Sequence, residues 1–299
     1  MKTDPSSPVQ VAGHRSLLAG ALVAAYVLTA LAALIVAHLT PGRSTGSLLR
    51  EAGRATGLVG FSLLALQVVL ADIASRGIPE IVCLGDVIGY GPNPGECLEL
   101  TRHADTLILG NHEEAVLLGE AVAFNTRARR AVDWTRERLM GEGVAPELAE
   151  DRRKLLEGFV ADRTIEGIRY VHGSPRDPTR EYITPRDASN RRKMQDIFGH
   201  VEHVCFIGHS HIPGVFTEEG FTAPEEMFNV YMLGEEKAVV NVGSVGQPRD
   251  GDTRACYCVF DVDTVVYHRL EYDVEATVAK IMATPGLDDM LAERLRLGR

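Results

Sequence analysis

Polar side chains that can bind a metal ion recur at the points where short apolar runs end. Such residues follow the runs IVCLG, LILG, IRYV and CFIG, at Asp86, Asn111, His112, His172, His209 and His211. If these runs are strands of an α/β sheet, their carboxyl ends meet along one edge, where such folds place their sites. Oxygen and nitrogen donors without a thiolate suit Mn²⁺, Fe, Zn²⁺ or Co²⁺. The pattern therefore predicts a divalent metal site at that edge.

Each of these residues, taken alone, has a commoner explanation. An aspartate after a strand usually forms a turn, and Gly110-Asn111 is a frequent turn dipeptide. A single histidine near a strand end is more often a hydrogen-bonded surface residue than a ligand. Chance is a poor explanation for the whole order GD, GNHE, HG and GHSH along one chain. We therefore interpret the set as one site.

These motifs carry a resemblance to a known family. Gly85-Asp86, Gly110-Asn111-His112-Glu113, His172-Gly173 and Gly208-His209-Ser210-His211 resemble, in this order, the motifs of the calcineurin-like metallophosphoesterase superfamily, in particular of its small bacterial branch. The run NVGSVGQPRDGD at 241–252 is similar to a late motif of that branch. The resemblance extends over about residues 63–273. It implies a four-layer αββα sandwich of mixed sheets.

The resemblance also implies a two-metal site. In such enzymes two divalent ions lie about 3.5–4 Å apart, share a carboxylate and activate a bridging water for in-line attack on phosphorus. Asp86 is then implied to be the shared carboxylate, with His211 in one metal site. The other site is implied to be completed by Asn111, His172 and His209.

Three further residues receive roles from the same resemblance. His112 is implied to be the catalytic acid that protonates the leaving oxygen or stabilises charge on the phosphoryl group. Arg249 and Asn241 are implied to contact a small phosphorylated substrate. For Arg249, a surface salt bridge made by a loop arginine is an equally good interpretation.

The chain departs from the family pattern at its first motif. An Asp-x-His sequence is expected before the predicted helix LLALQVVLADIA, where its two ligands fall by spacing on Leu58 and Gly60. Neither residue can bind a metal, so the second site retains only Asp86 and His211 of its four expected ligands. The segment LLREAGRATGLVGF is also a poor buried strand. We therefore expect the first strand and its motif to be missing.

The pattern of elements agrees with an α/β fold. Short apolar runs at 80–86, 105–113, 168–174, 203–211, 238–244, 255–261 and 264–270 predict strands, the last two forming a hairpin. Helical spacing predicts helices from Leu63, around 96–103 and 127–139, and at 274–282 and 287–297. Alternation of this kind is typical of mixed sheets flanked by helices.

The first part of the chain has a different composition. Residues 17–39 are long and apolar enough to span a bilayer, which favours a membrane anchor over a secretory signal. A slight excess of arginine after the span predicts a cytoplasmic catalytic domain; without a native N-terminal segment the domain is expected in the cytoplasm as well. We predict an anchor and linker at 1–57, a catalytic domain at 58–273 and a helical extension at 274–299.

The N-terminal segment has a weaker resemblance of its own. From Ala25 through Ala71 the sequence is similar to the opening of a ferric-reductase-like transmembrane protein. Its end, LLALQVVLA, is equally well interpreted as the first helix of the phosphoesterase, which indicates a join between two sequences near 63–71. Because only one span is predicted, a membrane reductase is disfavoured.

Bulk composition limits the partners. The formal net charge of −10 argues against binding to nucleic-acid duplexes, although one local cationic pocket can still accept a small phosphorylated substrate. Five scattered cysteines without a CxxC motif indicate neither a disulfide framework nor a zinc knuckle. Cys256 and Cys258 are predicted to share one face of a strand in the core.

Two functional hypotheses follow from the sequence. The first is a membrane-tethered phosphoesterase that hydrolyses a phosphomonoester, a phosphodiester or a nucleotide, with activity reduced or lost through the missing motif. The second is a non-catalytic module that binds one metal ion or a nucleotide at the membrane. His112 and the complete first metal site favour the first hypothesis, whereas Leu58 and Gly60 favour the second.

Overall fold

Apolar runs form the strands at the centre of the protein, and the amphipathic segments between them form helices. The structure, a computed structural model, describes residues 54–56, 62–121 and 124–299. Its strands are β1 (Arg54–Thr56), β2 (Glu80–Cys83), β3 (Thr106–Leu107), β4 (Asp162–Ile165), β5 (Ile168–Val171), β6 (Val204–Ile207), β7 (Gly214–Phe216), β8 (Phe221–Thr222), β9 (Val230–Met232), β10 (Ala238–Asn241), β11 (Ala255–Asp261) and β12 (Thr264–Leu270).

The helices surround these strands. They are α1 (Leu63–Ser75), α2 (Pro94–Leu100), α3 (Asn111–Leu118), α4 (Thr126–Met140), α5 (Pro146–Glu157), α6 (Arg191–Gly199), α7 (Val274–Met282) and α8 (Asp289–Leu297). Short 3-10 turns cover Thr101–His103, Pro185–Ser189 and Pro224–Met227. The helices predicted from spacing are confirmed. Helices α3, α5 and α6 were not predicted, and residues 111–113, which the sequence predicts to end a strand, begin α3 instead.

The strands form two mixed sheets. In the first, the order is β3-β2-β1-β11-β12-β9, with β1, β2 and β3 parallel to one another and the remaining pairs antiparallel. In the second, the order is β4-β5-β6-β10-β7-β8, with β5, β6 and β10 parallel. The predicted hairpin of β11 and β12 is confirmed by seven antiparallel residue pairs. In both sheets the parallel strands lie together, so their carboxyl ends meet.

Apolar packing arranges these elements in four layers. The two sheets face each other across a core that includes Phe206, Val240 and Cys258. Helices α1 and α2 cover the outer face of the first sheet, and α6 covers that of the second. The predicted sandwich of mixed sheets is therefore confirmed. Cys256 and Cys258 both lie in the core between the sheets, as predicted, and all five cysteines are buried and free.

The first strand corrects an expectation. The sequence predicts that this strand is missing, but Arg54–Thr56 lies between β2 and β11, with Ala55 opposite Ile81 on one side and Val259 on the other. Strand pairing uses backbone N–H and C=O groups, which every residue here supplies, so a segment of low strand propensity can still complete the sheet. Leu58 and Gly60 lie outside the described residues.

The C-terminal helices pack onto the same domain. Val278 and Ile281 of α7 and Leu291 and Leu295 of α8 form a cluster with Ala131 of α4. Among the described residues, no helix is both long and apolar enough to cross a bilayer. The predicted span at 17–39, and with it the resemblance to a ferric-reductase-like protein, lies outside the described part of the chain and stays a prediction.

Phe206 is expected to be a major source of stability. Its ring is fully buried between the sheets, 5.4 Å from the ring centroid of Tyr170 and 5.5 Å from that of Phe260. Phe206→Ala is expected to lower the free energy of unfolding by about 3–5 kcal/mol in urea denaturation, because it leaves a cavity. Phe228→Ala is the control: its side chain is 90% exposed, and we expect a change within about 0.5 kcal/mol. Equal effects of the two changes would contradict the assigned core.

Candidate metal centre and active site

Asp86 is held in place by a buried carboxylate, that of Glu113. The loop after β2 carries Asp86, and the backbone N–H groups of Asp86, Val87 and Ile88 donate to Glu113 at 2.7, 2.8 and 3.2 Å. The N–H of Gly110, in the loop after β3, donates to the same carboxylate at 3.1 Å. One side chain thus ties together the two loops that follow β2 and β3.

The start of α3 brings a second donor to Asp86. The backbone N–H of His112 donates to Asp86 Oδ1 at 3.1 Å, so the carboxylate lies at the amino end of a helix, where negative charge is stabilised. Asn111, the first residue of α3, places its Oδ1 3.2 Å from Nε2 of His172. The motif GNHE therefore acts through both its side chains and its backbone.

His172 comes from the second sheet and crosses to the first. Its Nδ1 lies 2.6 Å from the carbonyl oxygen of Leu84, and since a carbonyl only accepts, Nδ1 carries the proton. Its Nε2 then faces the site, 3.2 Å from Asp86 Oδ2 and 2.9 Å from Nδ1 of His209. Hydrogen bonding of one ring nitrogen to a carbonyl, which orients the other toward a cation, is typical of metal-ligating histidines.

A carbonyl group also orients His209, but here Nε2 donates to it and Nδ1 faces the site. Its Nε2 donates to the carbonyl oxygen of Arg180 at 3.1 Å, which leaves Nδ1 to face His172. The ring of Tyr182 stacks on that of His209 with centroids 3.7 Å apart. The backbone of His209 has a φ of 56°, an uncommon conformation for a residue with a side chain. Such strain is typical of positions held for function.

The four donor atoms fit a divalent cation. Ligand atoms of Asp86, His172 and His209 all lie within 4.8 Å of one another and are buried, and Asn111 Oδ1 joins them. Because carbonyl groups orient both imidazoles, the lone pair on Nε2 of His172 faces Nδ1 of His209 and the oxygens of Asp86 and Asn111 at 2.9–3.2 Å. This arrangement is repulsive unless a proton or a cation lies between the atoms. Two ligands at about 2.1 Å from one ion and about 90° apart are separated by roughly 3 Å. The set therefore has the spacing and the chemistry of a metal site.

The charges of the cluster are strongly coupled. Burial alone raises the pKa of Asp86, but the imidazoles, His172 foremost, hold it well below its usual range. Burial opposes protonation of His172, yet Asp86 raises its pKa overall. Burial lowers the pKa of His209 to about 3, with His172 adding to the effect. Asp86 and His172 therefore shift each other's pKa toward the charged forms.

His211 lies close to this cluster but does not join it. Its Nδ1 donates to the carbonyl oxygen of Gln247 at 2.7 Å, so Nε2 carries the lone pair. The ring is fully buried, and burial lowers the pKa of His211 well below its usual value. The positive charge of Arg249 lowers this pKa further, whereas the negative charge of Asp86 raises it. This tautomer suits a ligand, and the assignment of His211 to a second metal stays a prediction.

Asn241 has a different environment from the one expected of a substrate ligand. Its Nδ2 donates to the carbonyl oxygen of Gly208 and to Oγ of Ser210, both at 2.8 Å, and its Oδ1 accepts from the N–H of Gly243 at 3.0 Å. The side chain is fully buried. The geometry therefore gives Asn241 the task of fixing the loop that carries His209, and its contact with substrate stays a prediction.

His112 lies at the edge of the cluster in an aromatic setting. Its ring contacts Tyr90 and Phe124 edge-on, with centroids 4.5 and 4.9 Å apart. Gly89 makes room for it, because a Cβ at that position would overlap the imidazole. Burial lowers the pKa of His112 to about 4, so the ring is neutral at pH 7 in the metal-free protein.

Arg249 points its charge toward the histidines. Its backbone N–H donates to the carbonyl oxygen of His211 at 3.1 Å, and its guanidinium donates to Oε1 of Gln247 at 2.9 Å. Its positive charge helps to lower the pKa of His112 and His209. Within the described part of the chain no Asp or Glu carboxylate pairs with it, so the surface salt bridge weighed from the sequence is not formed there.

Sequence reasoning missed residues that support the site. The sequence identifies Glu113 only as part of the GNHE motif. Its position in the first turn of α3, three residues after the N-cap Gly110, is however a known helix-capping signal. Tyr182 lies far from every motif, and no pattern in the sequence indicates its stacking on His209. Tyr90 follows Asp86 closely in the sequence, and this proximity alone indicates a position near the site.

Comparison with known proteins adds the relationship of the chain. The family model for the calcineurin-like phosphoesterase superfamily domain matches residues 62–265. An uncharacterised protein of Methanocaldococcus jannaschii is 38% identical over 247 residues, which cover 80% of this chain and 94% of that protein.

Solved structures agree with this match. A metallophosphoesterase from Sphaerobacter thermophilus superposes with a TM-score of 0.68 at 33% identity, covering 83% of this chain and 99% of that one. A hypothetical protein from Pyrococcus horikoshii OT3 gives a TM-score of 0.63 at 18% identity over 83% of this chain and 98% of its own, and this likeness supports the fold alone.

Removal of the Glu113 carboxylate is expected to weaken metal binding. Glu113→Gln replaces one acceptor oxygen by an amino group, so backbone N–H groups around Asp86 lose their partner. We expect affinity for Mn²⁺, measured by calorimetry, to fall about 10- to 100-fold. Glu120→Gln, exposed beyond the end of α3, is the control and should bind as the wild type does. Wild-type affinity in Glu113→Gln would refute this positioning role.

Proposed function

This chain belongs to the calcineurin-like phosphoesterase superfamily, and we propose that it is a metal-dependent hydrolase of phosphoric esters. One observation carries the proposal: donor atoms from both sheets converge on one buried point with their lone pairs facing each other. These donors belong to Asp86, Asn111, His172 and His209. Support also comes from the metallophosphoesterase of Sphaerobacter thermophilus, whose chain is matched over 99% of its length.

The residues of the chain divide the work between binding and positioning. Divalent ions supply Lewis acidity: they polarise phosphoryl oxygens and make water acidic enough to act as a nucleophile near neutral pH. The Leu84 and Arg180 carbonyl groups fix the tautomers of the two imidazoles, so that Nε2 of His172 and Nδ1 of His209 face the position that a cation would take. Arg249 offers a guanidinium beside the histidines, the group best suited to phosphoryl oxygens.

His112 has two possible tasks at the leaving group. As a neutral ring it donates one N–H to a phosphoryl or leaving oxygen and so stabilises developing charge. As a cation it delivers a proton to the leaving oxygen. Its packing against Tyr90 and Phe124 restrains the ring in either case.

The second metal position lacks part of its expected ligand set. From Arg54 to Ala71 the sequence contains no aspartate, glutamate or histidine, so the motif expected at Leu58 and Gly60 is absent. Asp86 and His211 alone remain for that position. This supports a second candidate function, a non-catalytic module that binds one metal ion or a nucleotide. Tethering through residues 17–39 is part of either proposal.

Turnover of a generic substrate tests the hydrolase. Purified protein with Mn²⁺ is expected to hydrolyse p-nitrophenyl phosphate above a blank that contains metal alone. Asp86→Asn should reduce the rate to the level of the blank, because it removes the charge that holds the cation. Asp133→Asn, exposed on α4, should retain the wild-type rate. Folded wild-type protein without turnover would favour the non-catalytic module.

Metal content tests the incomplete second position. Wild-type protein is expected to contain about one divalent ion per chain, since two ligands hold an ion weakly. Leu58→Asp/Gly60→His, which restores the missing donors by spacing, should bring the content to about two and raise the rate. Leu58→Ala/Gly60→Ala is the control for the substitutions themselves. If the restored pair leaves occupancy and turnover at wild-type values, the account of the defect is wrong.

A further inference from the structure

Tyr182 is an exposed aromatic side chain beside the metal cluster. Its ring stacks on the imidazole of His209, with centroids 3.7 Å apart and an angle of 26° between the two planes. The tyrosine is nevertheless 47% exposed, whereas His209 is buried. Since the imidazole covers one face of the tyrosine ring, the exposed area belongs to the edge and to the other face.

Arg180 fixes the chain shortly before this ring. Its carbonyl oxygen accepts from Nε2 of His209 at 3.1 Å, and Nε of its guanidinium donates to Glu114 of α3 at 2.9 Å. One residue therefore connects the loop after β5 both with an expected metal ligand and with the helix that begins at Asn111. Because Tyr182 comes only two positions later, its backbone starts from a fixed point.

The chain on either side of Tyr182 is anchored as well. Nε of Arg176 donates to the carboxylate of Glu181 at 2.7 Å. Nζ of Lys193, on α6, donates to the carbonyl oxygen of Tyr182 at 2.7 Å. Ile183 is 1% exposed and packs in the core between α6 and the second sheet. The loop thus holds the Tyr182 ring over His209, although burial of the ring contributes little to keeping it there.

A flat aromatic face at this position favours a planar group on the substrate. Aromatic rings in offset stacks attract one another beyond the effect of the area that they bury. A second ring in contact with the open face of Tyr182 would lie roughly 7–8 Å from the His209 ring, given a contact distance of about 3.5–4 Å. A phosphoryl group bound at the metal cluster can carry an ester group across such a distance.

We propose that the open face of Tyr182 stacks on a planar aromatic group of the substrate, the aryl group or nucleobase of a phosphoric ester. The inference rests on the proposed function and extends it to the organic part of the ester. Tyr182 is then a specificity-determining residue, because it contacts the organic group and leaves the phosphoryl group to the metal cluster. Covering His209 alone would require neither a flat side chain nor a second, exposed face.

Binding of phosphonates, in which a P–C bond replaces the hydrolysable ester bond, tests the inference. Mn²⁺-loaded protein is titrated calorimetrically with phenylphosphonate, with adenosine 5′-phosphonate and with methylphosphonate. The wild type is expected to bind at least one of the two ring-bearing compounds about 3- to 10-fold more tightly than methylphosphonate, which is the gain from one aromatic stack. The compound that shows this gain distinguishes an aryl ester from a nucleotide.

Variants of Tyr182 separate stacking on the substrate from shielding of His209. Tyr182→Phe keeps the flat ring and should keep the preference for a ring-bearing phosphonate. Tyr182→Leu still covers His209 but has no flat face, so this preference should disappear while the affinities for Mn²⁺ and methylphosphonate stay at wild-type values. Phe228→Ala removes an aromatic ring that is 90% exposed on a different loop, and this control should keep the preference.

The outcomes separate this inference from the proposed function. A wild type that binds no ring-bearing phosphonate more tightly than methylphosphonate, or an unchanged preference in Tyr182→Leu, would overturn it. Equal losses for all phosphonates in Tyr182→Leu would show that the tyrosine only supports His209, and would overturn it too. If p-nitrophenyl phosphate is hydrolysed without such a preference, this inference alone fails. If no ester is hydrolysed but the preference depends on Tyr182, the hydrolase fails and the stacking site stands.

Discussion

The Glu113 carboxylate accepts hydrogen bonds from the loops after β2 and β3, and the position of Asp86 depends on it. Asp86 in turn sets the point at which His172 and His209 arrive from the other sheet. Burial raises the pKa of the Glu113 carboxyl to about 7, although the backbone N–H groups of Ile88 and Asp86 that donate to it lower this pKa. The site is thus built from the backbone outward: the loops first, then the carboxylate, and then the imidazoles that a cation holds together.

The two sheets meet chemically at His172. His172 directly follows β5 of the second sheet, yet its imidazole donates to the carbonyl oxygen of Leu84, which follows β2 of the first. Binding of a cation between His172 and Asp86 would therefore fasten the sheets together at their carboxyl edges. Because an ion that binds only the folded state adds to its stability, metal loading and resistance to unfolding should be linked in this protein.

The sequence predicts the parts of this site that depend on local pattern. Strand ends followed by Asp86, Asn111, His172 and His209 indicate convergence because parallel strands share an edge, and the structure brings these four together. Strand β1 was missed because Arg54–Thr56 has no apolar pattern, and its pairing depends on partners remote in sequence. The buried position of Asn241 was missed for the same reason: it arises from packing between distant segments, which periodicity does not encode.

The middle of the first sheet is completed by residues far apart in the chain. Strand β1 lies between β2 and β11, and nearby the Tyr257 hydroxyl donates to Asp72, 185 residues earlier, at 2.5 Å. On a ribosome that adds roughly 5–20 residues per second, α1 would emerge roughly 10–40 s before its partner in β11 exists. During that interval the apolar face of α1 lacks the neighbours Ala255 and Tyr257 that β11 supplies, and one side of β1 is unpaired. The nascent chain therefore passes through a stage that invites aggregation or chaperone binding, and the closing step of folding belongs to the last segments synthesised.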